Sequence, residues 1–193
     1  MPPRLIRIDD AEPQPWRNGG GVRRDLLDGP GSGEDRLWRV SIADITADGP
    51  FSSYPATQRW FAIVKGLGVE LRFGARVERV MRGAKPFSFD GGAAPSCRLV
   101  DGPACALNLI LGQGAHGSMG LATDAAPWHP ESAQCGLFTA VDGRCKSDEH
   151  EIEVPAHALL WFDRAPRTLA FVGGQRRAAT LGWWMCASPD QPG

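Results

Sequence analysis

The sequence predicts an all-β fold built as two small jelly-roll barrels, with very little helix. Three observations predict it. The chain carries 24 Gly and 16 Pro among 193 residues, spread along its length, and these breakers interrupt almost every window long enough for an ordinary helix. Between them lie short apolar or alternating runs at the spacing of a sandwich or barrel. The third observation is an internal echo. Val64-Lys65-Gly66 precedes Val69-Glu70-Leu71, and Val141-Asp142-Gly143 precedes Ile152-Glu153-Val154.

Arg4 to Ile8 reads as the first strand, followed by a Pro-rich turn and the segment Trp16-Arg17-Asn18-Gly19-Gly20-Gly21. Leu37 to Ile45 alternates, with Trp38, Val40 and Ile42 on one face and Arg39, Ser41 and Ala43 on the other. Trp60 to Val64 is apolar on both faces, as in a strand held between layers. Gly66 and Gly68 break it before Val69 to Phe73, and Val77 to Met81 follows. Further strands are expected at 98–100, 107–111, 117–121, 136–141, 150–154, 159–162, 168–172 and 179–186, about a dozen in all. One short helical turn is expected near Glu131 to Gln134. The echo divides the run into residues 1–113 and 114–193, and two jelly-rolls in one chain make a cupin-like bicupin.

Composition excludes several functions. The formal net charge is −1, from 21 Lys+Arg against 22 Asp+Glu, which argues against a dedicated nucleic-acid binder. No apolar run approaches the roughly 18 residues of a membrane span, so no membrane partner is expected. Met1-Pro2-Pro3-Arg4 leads into no apolar segment of a signal peptide, and a cytoplasmic location is the expectation. Five cysteines form no C-x-x-C pair, which suits reduced thiols. The histidines 116, 129, 150 and 157 include no H-x-H pair, so neither a metal nor a cofactor is expected.

Few segments carry chemistry. Asn18-Gly19-Gly20-Gly21 reads either as a nest of backbone N–H groups for an anion or as a tight turn needing positive φ. Arg39 and Ser41 either line a barrel and bind a carboxylate or face solvent. Arg59 stands just before a buried strand, where a guanidinium at a pocket rim could grip a carboxylate with two parallel hydrogen bonds. Trp183-Trp184 points one ring to each face of a strand and reads as core. No acid–base pair stands at a readable spacing, so no catalytic residue is assigned.

Pro15-Trp16-Arg17-Asn18-Gly19-Gly20-Gly21-Val22 resembles the W-K-N-G-G-G signature of the HutD/Ves family. The likeness continues through Trp38 to Ile45, then Asp48-Gly49-Pro50-Phe51-Ser52-Ser53-Tyr54-Pro55 with Arg59, Phe89-Asp90-Gly91, and Asp101-Gly102-Pro103 with Leu107-Asn108-Leu109. The resemblance implies a cupin-like, two-barrel bacterial protein linked to histidine utilisation or, for Ves, to stress response. It implies binding of a small anionic metabolite such as formylglutamate or urocanate, with no established catalysis. The positions matching the family's pocket are Trp16, Asn18, Arg39, Ser41, Phe51, Ser52, Arg59 and Asn108. The chain departs from the pattern at Arg17 (for Lys), Arg23 (for Thr), and Ala106 and Ile110 (for Asp and Met), which changes the charge near the pocket.

Two rival readings stand beside metabolite binding. One is a cupin-like isomerase or hydrolase of a small carboxylate, using groups such as Asp44 with an arginine. The other is an interaction protein, a homodimer with a vestigial pocket.

Overall fold

The structure is a computed structural model and describes residues 2–16, 19–31, 36–148, 150–174 and 180–190. Strand dominates, and no α-helix occurs among the described residues. In chain order, β1 (Arg4–Arg7) precedes β2 (Pro13–Pro15), β3 (Gly21–Asp28), β4 (Trp38–Ile45), β5 (Gly49–Pro50) and β6 (Gln58–Lys65). Then come β7 (Gly68–Phe73), β8 (Arg76–Met81), β9 (Phe87–Asp90), β10 (Ser96–Val100) and β11 (Ala104–Leu111). The rest of the chain supplies β12 (Ala115–Ala122), β13 (Gln134–Thr139), β14 (Gly143–Ser147) and β15 (Glu151–Val154). It ends with β16 (Ala158–Phe162), β17 (Leu169–Gly173) and β18 (Gly182–Pro189).

Two compact units result, one of Ala11–Gly114 and one of Ala115–Gly193 with Met1–Asp10. The sequence reading placed residues 1–113 together. Instead β1 pairs antiparallel with β16, Leu5 opposite Leu160, so the first ten residues join the later unit. Both units repeat one topology. The order β4-β11-β6-β9 beside β10-β7-β8 is matched by β12-β18-β13-β16 beside β17-β14-β15. Seven strands therefore recur in the same succession, and the echo at Val64 and Val141 marks the corresponding crossings from β6 to β7 and from β13 to β14.

In the Ala11–Gly114 unit, Phe61, Ile63 and Ala106 of the larger sheet meet Val69, Leu71, Val80 and Cys97 of the smaller one in one buried cluster. That cluster fills one part of the inner face and leaves the rest to polar residues. In the other unit the matching face is mostly apolar: Cys135, Leu137, Leu160, Phe162, Trp184 and Cys186 pack against Cys145, Val154, Leu169 and Phe171, with Ser118 beside Cys186 at 3.3 Å.

The helical turn expected at Glu131 to Gln134 is absent. Gln134 opens β13, and the Ala133 backbone is spent on neighbours, its N–H on Ser188 Oγ and its carbonyl on Ala165 N–H. Gly19 takes a positive φ of +71°, which suits glycine, and its N–H donates to the Trp16 carbonyl at 3.0 Å. A Cβ on Gly21 would run into the Asp44 carbonyl, which explains a glycine there.

Candidate functional site

Opposed residues of antiparallel strands share a face, so the inner face of the six-stranded sheet can be read row by row. One row runs Phe89, Arg59, Ile110, Arg39, Asp28, and the next runs Phe87, Phe61, Asn108, Ser41, Asp25. A third runs Ile63, Ala106, Ala43, Arg23, Gln14. A bulge between Asp25 and Leu27 decides what the first row contains. Strict alternation from Arg23 and Asp25 would point Leu27 inward. The extra residue changes the phase and sets Asp28 opposite Arg39 instead.

These rows wall a cavity of about 860 Å³ within the Ala11–Gly114 unit. Among the described residues four arginines line it, Arg23, Arg36, Arg39 and Arg59, with no carboxylate or lysine beside them. The loop from Phe51 to Thr57 supplies another wall, with Trp16 packed edge-on against Phe51 at 6.1 Å between ring centroids.

Arg59 is the buried cation of this cavity, only 6% exposed. The sequence reading put it at the rim, but it lies inside β6, on the inner face of the sheet. Its Nε and Nη2 both donate to Asn108 Oδ1, at 2.9 and 2.7 Å. Asn108 is held in turn by donation from Nδ2 to the Ala106 carbonyl at 3.3 Å. The guanidinium carbon stands 4.7 Å from the Phe51 ring centroid, with Phe89 at 5.5 Å and Phe61 at 5.6 Å. Among the described residues no carboxylate lies within ion-pair distance of it. Burial pushes its pKa down to about 10, opposed by Tyr54 and Cys97, and it remains a cation at neutral pH. A neutral amide oxygen and three ring faces offset only part of the cost of burying that charge. One edge of the fork is occupied, whereas Nη1 makes no hydrogen bond to a described residue.

The other arginines are paired. Arg39 Nε lies 3.2 Å from Asp28 Oδ1 and 3.7 Å from Asp25 Oδ2. Arg36 Nε shares Asp28 at 3.3 Å. Arg23 Nε stands 2.9 Å from Asp25 Oδ1 in an ion-pair contact without hydrogen-bond alignment. Its Nη2 donates to Gln14 Oε1 at 2.6 Å and its Nη1 to the Tyr54 hydroxyl at 3.3 Å. Three cations therefore share two aspartates.

Of the residues expected in a site, Trp16, Arg39, Ser41, Phe51, Ser52, Arg59 and Asn108 all border this one cavity. Asn18, with Arg17, lies outside the described residues. Sequence reasoning set Arg23 near the pocket, and the structure places it in the lining; it overlooked Arg36 and Tyr54 as lining residues, and Asp25 and Asp28 as partners of the arginines. The signal was the alternation of Arg23 and Asp25 in a segment whose later residues change phase at the bulge. All five cysteines are unpaired and buried, and burial pushes the Cys97, Cys105 and Cys145 thiols up to about 12, the opposite of an activated nucleophile. Among the described residues, no group of three or more His, Cys, Asp or Glu side chains is placed to hold a metal ion.

Paired antiparallel sheets around an internal cavity define a cupin-like β-barrel protein. A mutant of Bacillus subtilis oxalate decarboxylase shares the fold, with TM-score 0.60 and 8% identity over 98% of this chain and 78% of that one. The chain belongs to the HutD family, whose model matches residues 8–180. The structure of HutD from Pseudomonas fluorescens SBW25, in a formate condition, aligns with TM-score 0.83 and 25% identity, over 98% of this chain and 100% of that one. A Pseudomonas putida protein described as an uncharacterized 21.2 kDa protein in the hutC 3′ region is 36% identical over 107 residues, 55% of this chain and 56% of that protein. The match thus spans little more than half the length of that relative.

Proposed function

We propose that this chain is a metal-free, cytoplasmic bicupin that binds a small anionic metabolite, formylglutamate- or urocanate-like, and tunes histidine utilisation without turning the metabolite over. The observation that carries the reading is Arg59: a buried guanidinium on a cavity wall, with no carboxylate partner among the described residues and one edge of its fork unspent. A bound carboxylate would supply the missing counter-charge in a water-poor, aromatic surround, where a charge-assisted bond is strong. Asn108 fixes the fork, and Ser41, buried in the same wall, offers a neutral hydroxyl. The hutC neighbourhood of the putida relative supports the link to histidine utilisation.

Calorimetric titration of formylglutamate and urocanate into wild type, Arg59→Ala and Arg59→Lys tests it. Truncation should cost about 2–5 kcal/mol of binding, and lysine should recover only part, because one ammonium cannot make two parallel hydrogen bonds. Unchanged affinity in folded Arg59→Ala would remove Arg59 from the site. Recovery of the ligand unaltered after incubation separates a binder from an isomerase or hydrolase.

A further inference from the structure

We infer that Arg23 and Tyr54 form a second anion-recognition point in the same cavity, so that the preferred ligand carries two anionic groups, one at Arg59 and one at Arg23 and Tyr54. The inference rests on the reading of Arg59 given above.

Charge distribution is the first support. Among the described residues, Arg23, Arg36 and Arg39 find only Asp25 and Asp28 as carboxylate partners, three positive charges against two negative ones on that wall. Arg59 carries the other surplus charge, at the buried wall. Two uncompensated cations in one cavity match a dianion better than a monoanion.

Orientation is the second support. Each nitrogen of Arg23 is engaged from a different element: Nε by Asp25 on its own strand, Nη2 by Gln14 of β2, and Nη1 by Tyr54 of the loop after β5. The fork is thus held in place before any ligand arrives, and each Nη keeps a further N–H to give. Asp25 serves as the positioning residue. Its carboxylate is 14% exposed and touches Arg23 on one oxygen and Arg39 on the other.

Tyr54 joins the two poles. Its oxygen accepts from Arg23, and its O–H proton finds no acceptor among the described residues, so it is available to a ligand in the cavity that Tyr54 lines. Tyr54 and Arg59 line the same cavity. The two forks therefore share one cavity with that phenol, and a short chain separates the anionic groups of a ligand that reaches both.

The probes are succinate, glutarate and their monomethyl esters, which keep the carbon chain and remove one charge. They are titrated calorimetrically at one ionic strength into wild type, Arg23→Gln, Arg23→Lys, Tyr54→Phe and Arg39→Gln, each first shown to be folded by its melting curve. Wild type should favour a diacid over its ester by roughly tenfold or more. Arg23→Gln should collapse that preference by weakening the diacid far more than the ester, Tyr54→Phe should reduce it, and Arg23→Lys should restore part. An undiminished preference in folded Arg23→Gln overturns the inference, and collapse only in Arg39→Gln moves the second point to Arg39. If wild type binds ester and diacid equally through Arg59, this inference falls and the reading of Arg59 stands. If it binds neither these probes nor formylglutamate nor urocanate, both fall.

Discussion

The two units share a topology and differ in what fills it. Where β6 and β11 present Arg59 and Asn108 beside Arg39 and Ser41 of β4, the strands β13 and β18 that match β6 and β11 present Cys135, Leu137, Trp184 and Cys186, beside Ser118 and Gly120 of β12. The first face keeps a cavity of about 860 Å³, and the second is closed by Trp128. That ring stacks on Trp184 at 4.9 Å between centroids and 5° between planes. Its backbone is tied by a pair of hydrogen bonds to Leu169. The lesson is that a jelly-roll frame tolerates either content. A dry, close-packed interior gives stability, whereas a hollow polar one gives up some of it for the capacity to bind.

Alkaline pH should produce the largest change, and in both units. The Cys97, Cys105 and Cys145 thiols, raised by burial from 9.0 to about 12, favour the folded protein fully below pH 9, and that contribution is lost as pH climbs towards 12. Arg59 opposes the trend. Its cation is disfavoured by burial, so above about pH 10 its loss of a proton favours the fold. Denaturant melts from pH 8 to 11 should show stability falling steadily, and a rise would break the assignment.

Next in size, Trp184→Ala in the dry unit should cost about 3–5 kcal/mol in chemical denaturation, because a large buried side chain leaves a void. Trp128→Ala should cost less, about 2 kcal/mol, since that ring is only partly buried. If Trp128 does close the barrel, the variant should also gain binding of small apolar probes, visible as a raised melting temperature in their presence.

A smaller effect of opposite sign sharpens the contrast. Arg59→Met combined with Asn108→Leu makes the pocket face resemble the dry one, removing a buried charge together with its partner. Stability should stay level or rise by about 1 kcal/mol while anion binding disappears. Arg59→Met alone should be less stable than the pair, because Asn108 Oδ1 loses both its donors. Smallest of all, Arg79→Ala, which removes the exposed ion pair to Glu70, should change stability by no more than about 0.5 kcal/mol.

Much of the architecture could be read from residues in sequence. The alternation at Leu37 to Ile45 put Arg39 and Ser41 on one face, and the structure sets both on the cavity wall. The apolar run at Trp60 to Val64 is buried from Phe61 to Val64, within β6. Less visible were strands with mixed or sparse apolar content. β2 reads Pro-Gln-Pro, β14 reads Gly-Arg-Cys-Lys-Ser, and β3 hides its alternation behind a bulge. Such strands are held by a neighbour's hydrogen bonds rather than by their own pattern.

The sequence by itself determined that this chain is all-β, that the fold is cupin-like, and which family it belongs to, because breakers, alternation and motif order are local properties. Only the tertiary structure decided which strands became neighbours, and with that the content of the site. The Arg59–Asn108 contact joins residues 49 apart, and Arg23 meets Tyr54 across 31. No local signal announces such a pairing, since it depends on sheet order, register and one inserted residue. The same holds for β1, whose four residues read as an ordinary strand but whose partner β16 lies more than 150 residues away. Strand propensity is written residue by residue, whereas partner choice is settled by which apolar faces can be buried together.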